Sequence, residues 1–172
     1  MRGIFYCYKT IMKKKNITTV TYEYDSVEEL SAEEQLLIQK SKDVVANAYA
    51  PYSKFQVGAA VLLGNGEIIT GTNQENAAYP SGLCAERVAV FYANSKFPDV
   101  PVKAIAVTAF TNNKYVESPI PPCGSCRQVL VETETRFNTP IKIYLVSESK
   151  ITVINDAKDL LPLNFDESSL IN

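Results

Sequence analysis

Three cysteines and one glutamate fall in two short segments whose spacing suits metal chemistry, Cys84 to Glu86 and Pro122 to Cys126. Thiolates are zinc ligands, and a zinc site with three protein ligands keeps a fourth position for water, whereas structural sites use four ligands. The chain of 172 residues has no histidine, which excludes Ser-His-Asp and Cys-His mechanisms. We therefore predict a catalytic zinc site with Cys84, Cys123 and Cys126 as its ligands.

Both segments are predicted to begin helices, where the helix dipole and free backbone N–H groups stabilise thiolates. Glu86 lies two residues after Cys84, so it can approach the metal without binding it and act as the general acid and base. A C-x-E segment paired with P-C-x-x-C matches the arrangement of zinc deaminases. Three thiolates give the zinc centre a net charge of about −1, and Arg87 is placed to withdraw that charge from a ligand sulfur.

Two polar residues precede the first metal segment in a loop rich in Asn, Gly and Pro. Asn73 and Glu75 follow a predicted strand, and an amide together with a carboxylate suits the paired hydroxyls of a ribose. Alternatively, Asn73 forms a turn and Glu75 is a surface charge. The neighbouring zinc motif favours substrate binding over that alternative.

The elements that must position these residues alternate along the chain. A helical pattern begins at a capping box, Ser26 with Glu29, and runs to Tyr49. Helices are also expected from Cys84 to about residue 94, from Cys123 to about residue 134, and, as a short one, over residues 156–161. Apolar runs predict strands at residues 55–63, 67–71, 102–110, 141–146 and 151–154. This alternation predicts one α/β domain whose sheet carries helices on its faces.

The first 25 residues lack such a pattern, so we predict an N-terminal extension, mobile in solution, followed by a catalytic domain over residues 26–172. The formal net charge of −2 argues against a nucleic-acid partner. No apolar run approaches the roughly 20 residues that span a bilayer, so no membrane association is expected. The start also lacks the pattern of a secretory signal, and we expect a cytoplasmic protein.

Residues from about 50 to 163 resemble the small homotetrameric cytidine deaminases. The segment FQVGAA from Phe55 is similar to that family's first strand, whose Phe packs beside the bound base. NQEN from Asn73 is similar to its N-x-E-N motif, in which the Asn and the Glu hold the ribose hydroxyls. PCGSCRQ is close to its second metal motif. Cys84 stands where relatives that act on deoxycytidylate or on tRNA adenosine usually have histidine.

The resemblance implies a three-layer domain with a mixed five-stranded sheet and helices on both faces. It also implies hydrolysis of cytidine or deoxycytidine to uridine or deoxyuridine with release of ammonia, in pyrimidine salvage, by a homotetramer. Residues 160–165 resemble the C-terminal segment that carries an aromatic side chain into a neighbouring subunit's site. The substrate-binding residues so implied are Phe55, Asn73, Glu75, Tyr79, Ala85 and Phe165.

Three alternatives remain open from the sequence. One is a related deaminase that acts on a different nucleoside-like amine, although the predicted ribose-binding pair argues against it. A structural zinc protein would need a fourth ligand, for which Cys7 is the only spare thiol, whereas a thiol-redox protein would need a C-x-x-C with thioredoxin-like neighbours. A polynucleotide deaminase would be expected to show a basic and aromatic strip, which is not evident.

Overall fold

The computed structural model describes residues 12–170. Cys7 and residues 1–11 of the predicted extension therefore lie outside the described residues. One sheet runs through the described part, with the strand order β1-β7-β6-β4-β2-β3 and β5 paired to β4. The strands are β1 Tyr22–Tyr24, β2 Gln56–Leu63, β3 Ile68–Thr72, β4 Val102–Thr111, β5 Lys114–Tyr115, β6 Lys142–Val146 and β7 Ile151–Ile154. The pair β4 and β6 is parallel and the others are antiparallel, so the sheet is mixed, as expected.

The sheet has seven strands, which corrects the expected five. All five predicted strands are present, and β1 and β5 are additional. β1 has only three residues, most of them exposed, and it pairs with β7 far along the chain. β5 has two residues and returns from a tight turn in which Asn112 and Asn113 both have positive φ. Such short strands are too brief to produce a sequence pattern.

Three α-helices cover the two faces of the sheet: α1 Ala32–Val44, α2 Ala85–Lys96 and α3 Gly124–Phe137. Successive strand residues point to opposite faces, so β2 contributes to both layers of the core. Ala60 and Leu62 pack with Leu37 and Ile38 of α1. Val61 packs on the other side with the residues of α2 and α3. The predicted three-layer arrangement is thus confirmed.

The predicted first helix is divided into separate pieces. Ser26 forms its capping box with Glu29, but this box begins only a 3-10 turn, Val27–Glu29. A second capping box, made by Ser31 and Glu34, begins α1. A 3-10 turn, Val45–Asn47, then follows α1. Two capping boxes in tandem end the first turn early, because the second Ser must adopt extended backbone angles to act as a cap.

Gly71 lets α2 approach β3 closely, which helps to position the site. A Cβ atom at Gly71 would lie 2.5 Å from the backbone nitrogen of Ala89 and 2.8 Å from the carbonyl oxygen of Ala85. Both distances are shorter than atomic contacts allow, so only glycine fits here.

Within residues 12–170, no helix is long and apolar enough to cross a membrane.

Candidate active site

The sulfur atoms of the three predicted metal ligands lie together. The Cys84 and Cys123 sulfurs are 3.7 Å apart, the Cys123 and Cys126 sulfurs are 3.5 Å apart, and all three lie within 4.8 Å of one another. Two sulfurs bound to one tetrahedral zinc ion at about 2.3 Å would be separated by about 3.8 Å. The donor set and its spacing therefore fit zinc.

Helix starts present these sulfurs. Cys84 is the N-cap of α2 and Cys123 is the N-cap of α3, while Cys126 lies buried in the first turn of α3. A hydrogen bond with Cys126, together with one from Arg87, lowers the pKa of the Cys84 thiol despite its partial burial. The Arg87 Nη2 atom lies 3.8 Å from the Cys84 sulfur, so the predicted cation stands beside a ligand sulfur. The thiolate form that a metal requires is thereby favoured at neutral pH.

Glu86 is buried beside the three sulfurs, with only 5 % of its surface exposed. Burial raises the pKa of its carboxyl group above the ordinary value, and the nearby charge of Cys84 acts in the same direction. A carboxyl group with a raised pKa can both accept and return a proton near neutral pH. Glu86 therefore lies beside the sulfurs, and its pKa is shifted in the direction that suits a general acid and base.

A cavity of about 810 Å³ opens beside the metal ligands. Its volume lies within the range typical of small-molecule sites. The cavity brings together most of the residues predicted from the sequence to act in metal binding, catalysis or substrate binding. Those that line it are Phe55, Asn73, Glu75, Tyr79, Cys84, Glu86, Arg87 and Cys123.

The Asn73 side chain is fixed to the neighbouring strand. Its Oδ1 atom accepts a hydrogen bond of 2.8 Å from the backbone N–H of Val57, and its Nδ2 atom donates one of 2.9 Å to the carbonyl of Phe55. An amide has two N–H groups and two lone pairs. One donor and one acceptor position thus remain for a molecule in the cavity.

The Glu75 carboxylate is held by the loop that precedes β2. Its Oε2 atom accepts hydrogen bonds from the backbone N–H groups of Tyr52 at 2.9 Å and Ser53 at 3.3 Å, and its Oε1 atom accepts one from the Ser53 hydroxyl at 2.5 Å. The Ser53 hydroxyl is the main reason that the pKa of Glu75 lies below its ordinary value. Glu75 is therefore an ionised, oriented acceptor on the wall of the cavity.

Two tyrosines stand at the exposed rim of the cavity. Tyr79 has 78 % of its surface exposed, and its ring meets that of Tyr52 edge to face with 6.4 Å between centroids. Tyr52 was not expected from the sequence, and neither were Ile120 and Pro121, which also line the cavity. The Pro-rich stretch before Cys123 was visible in the sequence, but nothing in its pattern indicated a contact with substrate.

Two predicted substrate-binding residues do not line this cavity. Ala85 is fully buried in the core, and its backbone joins the lining residues Cys84 and Glu86. Phe165 is 59 % exposed, and its carbonyl accepts a 2.7 Å hydrogen bond from Gln128 of α3. Within a single chain, therefore, Phe165 does not line the cavity.

Comparisons with known proteins agree with this geometry. Residues 31–138 match the family model described as the cytidine and deoxycytidylate deaminase zinc-binding region. A protein of Halalkalibacterium halodurans named cytidine deaminase is 49 % identical over 98 residues, which are 57 % of this chain and 70 % of the relative. One of Sporosarcina psychrophila with the same name is 42 % identical over 134 residues, covering 78 % of this chain and 92 % of the relative.

A solved structure with a cytidine deaminase name also shares the fold of this chain. The crystal structure of cytidine deaminase from Burkholderia pseudomallei superposes with a TM-score of 0.66 and 39 % identity, and the match covers 76 % of this chain and 97 % of that one. The family match includes all three cysteines and Glu86, and zinc is the metal that the family description names. The chain belongs to the zinc-binding family of cytidine and deoxycytidylate deaminases.

Proposed function

We propose that this protein hydrolyses cytidine and deoxycytidine to uridine and deoxyuridine with release of ammonia, as a zinc enzyme of pyrimidine salvage. One observation carries the proposal. One nucleoside-sized cavity lies beside three thiols spaced for zinc. It is lined by the buried carboxyl group of Glu86 and by the polar side chains of Asn73 and Glu75. The names of the relatives support the same substrate.

Zinc bound by Cys84, Cys123 and Cys126 would supply the means to activate water for attack on an amidine carbon at neutral pH. Glu86 accepts a proton from the attacking water and delivers it to N3 of the cytosine ring. It then takes the proton of the hydroxyl group added at C4 and passes it to the departing amine, so the C4–N bond breaks, ammonia leaves and the C4 carbonyl of uridine is formed. The burial of Glu86 suits both tasks, because it raises the pKa of the carboxyl group and so makes the carboxylate a stronger base than an exposed one.

Arg87 offsets the charge of the three thiolates through its contact with Cys84. Without it, the net charge of about −1 at the centre would oppose the ionisation of water. Phe55 packs beside the base, while Asn73 and Glu75 bind the ribose hydroxyls with their remaining hydrogen-bonding positions. Tyr79 covers the open side of the cavity, and the backbone of Ala85 borders the reacting end.

We further propose a homotetramer in which Phe165 enters the site of a neighbouring subunit. In its support, large aromatic side chains stand exposed on the single chain, as Phe165 does at 59 % and Tyr92 at 55 %. Residues 26–172 would be the catalytic domain and residues 1–25 an extension that adds β1 to the sheet. Cysteine ligands must stay reduced to bind zinc, which favours a reducing compartment such as the cytoplasm. Light scattering of the purified protein tests the tetramer.

The experiment that tests the substrate is an absorbance assay with a matched panel. Cytidine, deoxycytidine, deoxycytidine monophosphate, free cytosine and adenosine are each incubated with the zinc-loaded protein. We expect loss of the cytosine band with cytidine and deoxycytidine and little change with the other three compounds. Turnover of one of these three compounds, with cytidine and deoxycytidine unchanged, would favour a deaminase of another substrate class.

A further inference from the structure

The hydroxyl group of Ser53 joins two walls of the cavity. It accepts a 3.0 Å hydrogen bond from the backbone N–H of Phe55 and lies 2.5 Å from Glu75 Oε1. An amide N–H only donates and an ionised carboxylate only accepts. The hydroxyl proton must therefore be donated to Glu75, so the direction of both bonds is fixed.

On the Glu75 side, this bond completes the orientation of the carboxylate. Three donors come from Tyr52 and Ser53, and they occupy both carboxylate oxygens. An ionised carboxylate has about four acceptor positions. About one position is left for a hydroxyl group of a molecule in the cavity. Without Ser53, the Oε1 atom would lose the donor that fixes the rotation of the carboxylate plane.

On the Phe55 side, the same hydroxyl closes a tight turn. Lys54 has φ 58°, in the left-handed region that non-glycine residues seldom adopt. Ser53 spans this residue by binding the N–H of Phe55, and Asn73 binds the carbonyl of Phe55. The backbone of Phe55 is thus held on one side by Ser53 and on the other by Asn73.

We infer that Ser53 is a positioning residue that sets the sugar-binding carboxylate of Glu75 in register with the aromatic wall of Phe55, and that it thereby determines selectivity for substrates bearing sugar hydroxyls. This inference rests on the proposed function. The effect of Ser53 on selectivity reaches the substrate through Glu75, because the backbone of Phe55 is also held by Asn73 when the Ser53 hydroxyl is removed. The contribution of Ser53 to kcat/KM therefore depends on whether the substrate has a hydroxyl group for Glu75 to bind.

The test compares Ser53→Ala, Ser53→Thr and wild type on cytidine and on 2′,3′-dideoxycytidine, which differ only in those hydroxyls. Charge-assisted hydrogen bonds of this kind correspond to about a 10- to 100-fold effect. We expect Ser53→Ala to lower kcat/KM for cytidine by about that factor, mainly through KM. On dideoxycytidine its kcat/KM should stay within about 2-fold of wild type. Ser53→Thr keeps the hydroxyl and should restore most of the loss.

Ser95→Ala is the control variant, because Ser95 is an exposed residue of α2 outside the cavity. Zinc content and thermal unfolding show whether each variant is folded. If Ser53→Ala reduces turnover equally on both nucleosides, Ser53 only supports the fold and the inference is overturned. Unchanged kinetics on both substrates would overturn it as well. If the wild type deaminates neither nucleoside, the proposed function fails and the Ser53 inference fails with it. This outcome differs from the two above, in which the wild type is active.

Discussion

Arg127 donates a hydrogen bond of 2.8 Å from its Nε atom to the carbonyl oxygen of Pro122, the residue directly before the metal ligand Cys123. Its Nη1 atom also donates, at 3.0 Å, to the carbonyl of Leu160 near the C-terminus. Helical side chains lean toward the helix N-terminus, which explains why this long side chain reaches back past the first turn. Arg127 therefore fixes the backbone before a ligand, whereas Arg87 contacts a ligand sulfur directly.

The first prediction concerns metal retention. Arg127→Ala should weaken zinc binding by about 10- to 100-fold, because loss of the groups that orient a ligand typically has that effect. Competition with a chelator measures it. Arg136→Ala is the matched control, since Arg136 lies on the same helix and also donates to a carbonyl, that of Pro98, away from the site. Equal zinc affinity in both variants would contradict the role of Arg127.

The second prediction concerns the charge beside the thiolates. Arg87→Gln should keep zinc but lower kcat by about 10-fold or more, and the acidic limb of the kcat profile should move to higher pH. Removal of the cation leaves the excess negative charge uncompensated, which opposes ionisation of water at the centre. Steady-state rates across a pH series provide the measurement. A profile with an unmoved acidic limb would argue that Arg87 acts only in packing.

The third prediction concerns the pH dependence of stability at Glu34. Burial opposes its ionisation, but hydrogen bonds from Lys142, Tyr144 and Ser31 outweigh burial and lower its pKa from 4.5 to about 2. Because the folded pKa is the lower one, the stabilisation is complete above about pH 5 and is lost as the pH falls toward 2. At neutral pH, Glu34→Gln should reduce the free energy of unfolding by about 1–3 kcal/mol.

The difference between wild type and Glu34→Gln should then shrink by roughly 1 kcal/mol between about pH 7 and pH 4. Urea unfolding at both pH values measures it. Glu132→Gln serves as the control, because Glu132 is an exposed acid on α3. A difference that stays constant over this range would mean that the charge of Glu34 does not stabilise the fold.

The fourth prediction concerns the contact between β3 and α2. Gly71→Ala should lower the free energy of unfolding by about 1–3 kcal/mol, since the added Cβ atom collides with the α2 backbone. Activity should fall too, because α2 carries Cys84 and Glu86. Thermal unfolding and cytidine turnover are measured together. In Gly124→Ala the new Cβ meets nothing within 4 Å, so its unfolding temperature should not fall.

The clustering of Cys84, Cys123 and Cys126 beside Glu86 could be predicted from the sequence because local spacing determines their placement. Cys84 and Cys123 each begin a helix, and the zinc-site geometry follows once the two helix starts meet. The five longer strands were equally evident from their apolar runs. The strand β1 was not, because three mostly exposed residues form it and its partner β7 is distant in sequence.

The hydrogen bonds that hold the site residues in place were the part that the sequence did not predict. Ser53 and Glu75 lie in different loops, and no periodicity links two residues whose only relation is a hydrogen bond across the fold. Arg127 stands one residue after Cys126, and its guanidinium binds two backbone carbonyls. Such contacts depend on side-chain direction, and residue type and spacing do not specify that direction.

The most direct test of the account is the turnover of cytidine by Glu86→Gln, measured together with its zinc content. The substitution keeps the shape of the side chain but removes its ability to transfer protons. We expect about one zinc per chain, an unchanged fold and a fall in kcat of about 10²- to 10⁴-fold, the usual contribution of a positioned acid and base. A zinc-loaded Glu86→Gln variant with near-normal kcat would contradict the assignment of Glu86 as the proton-transfer group.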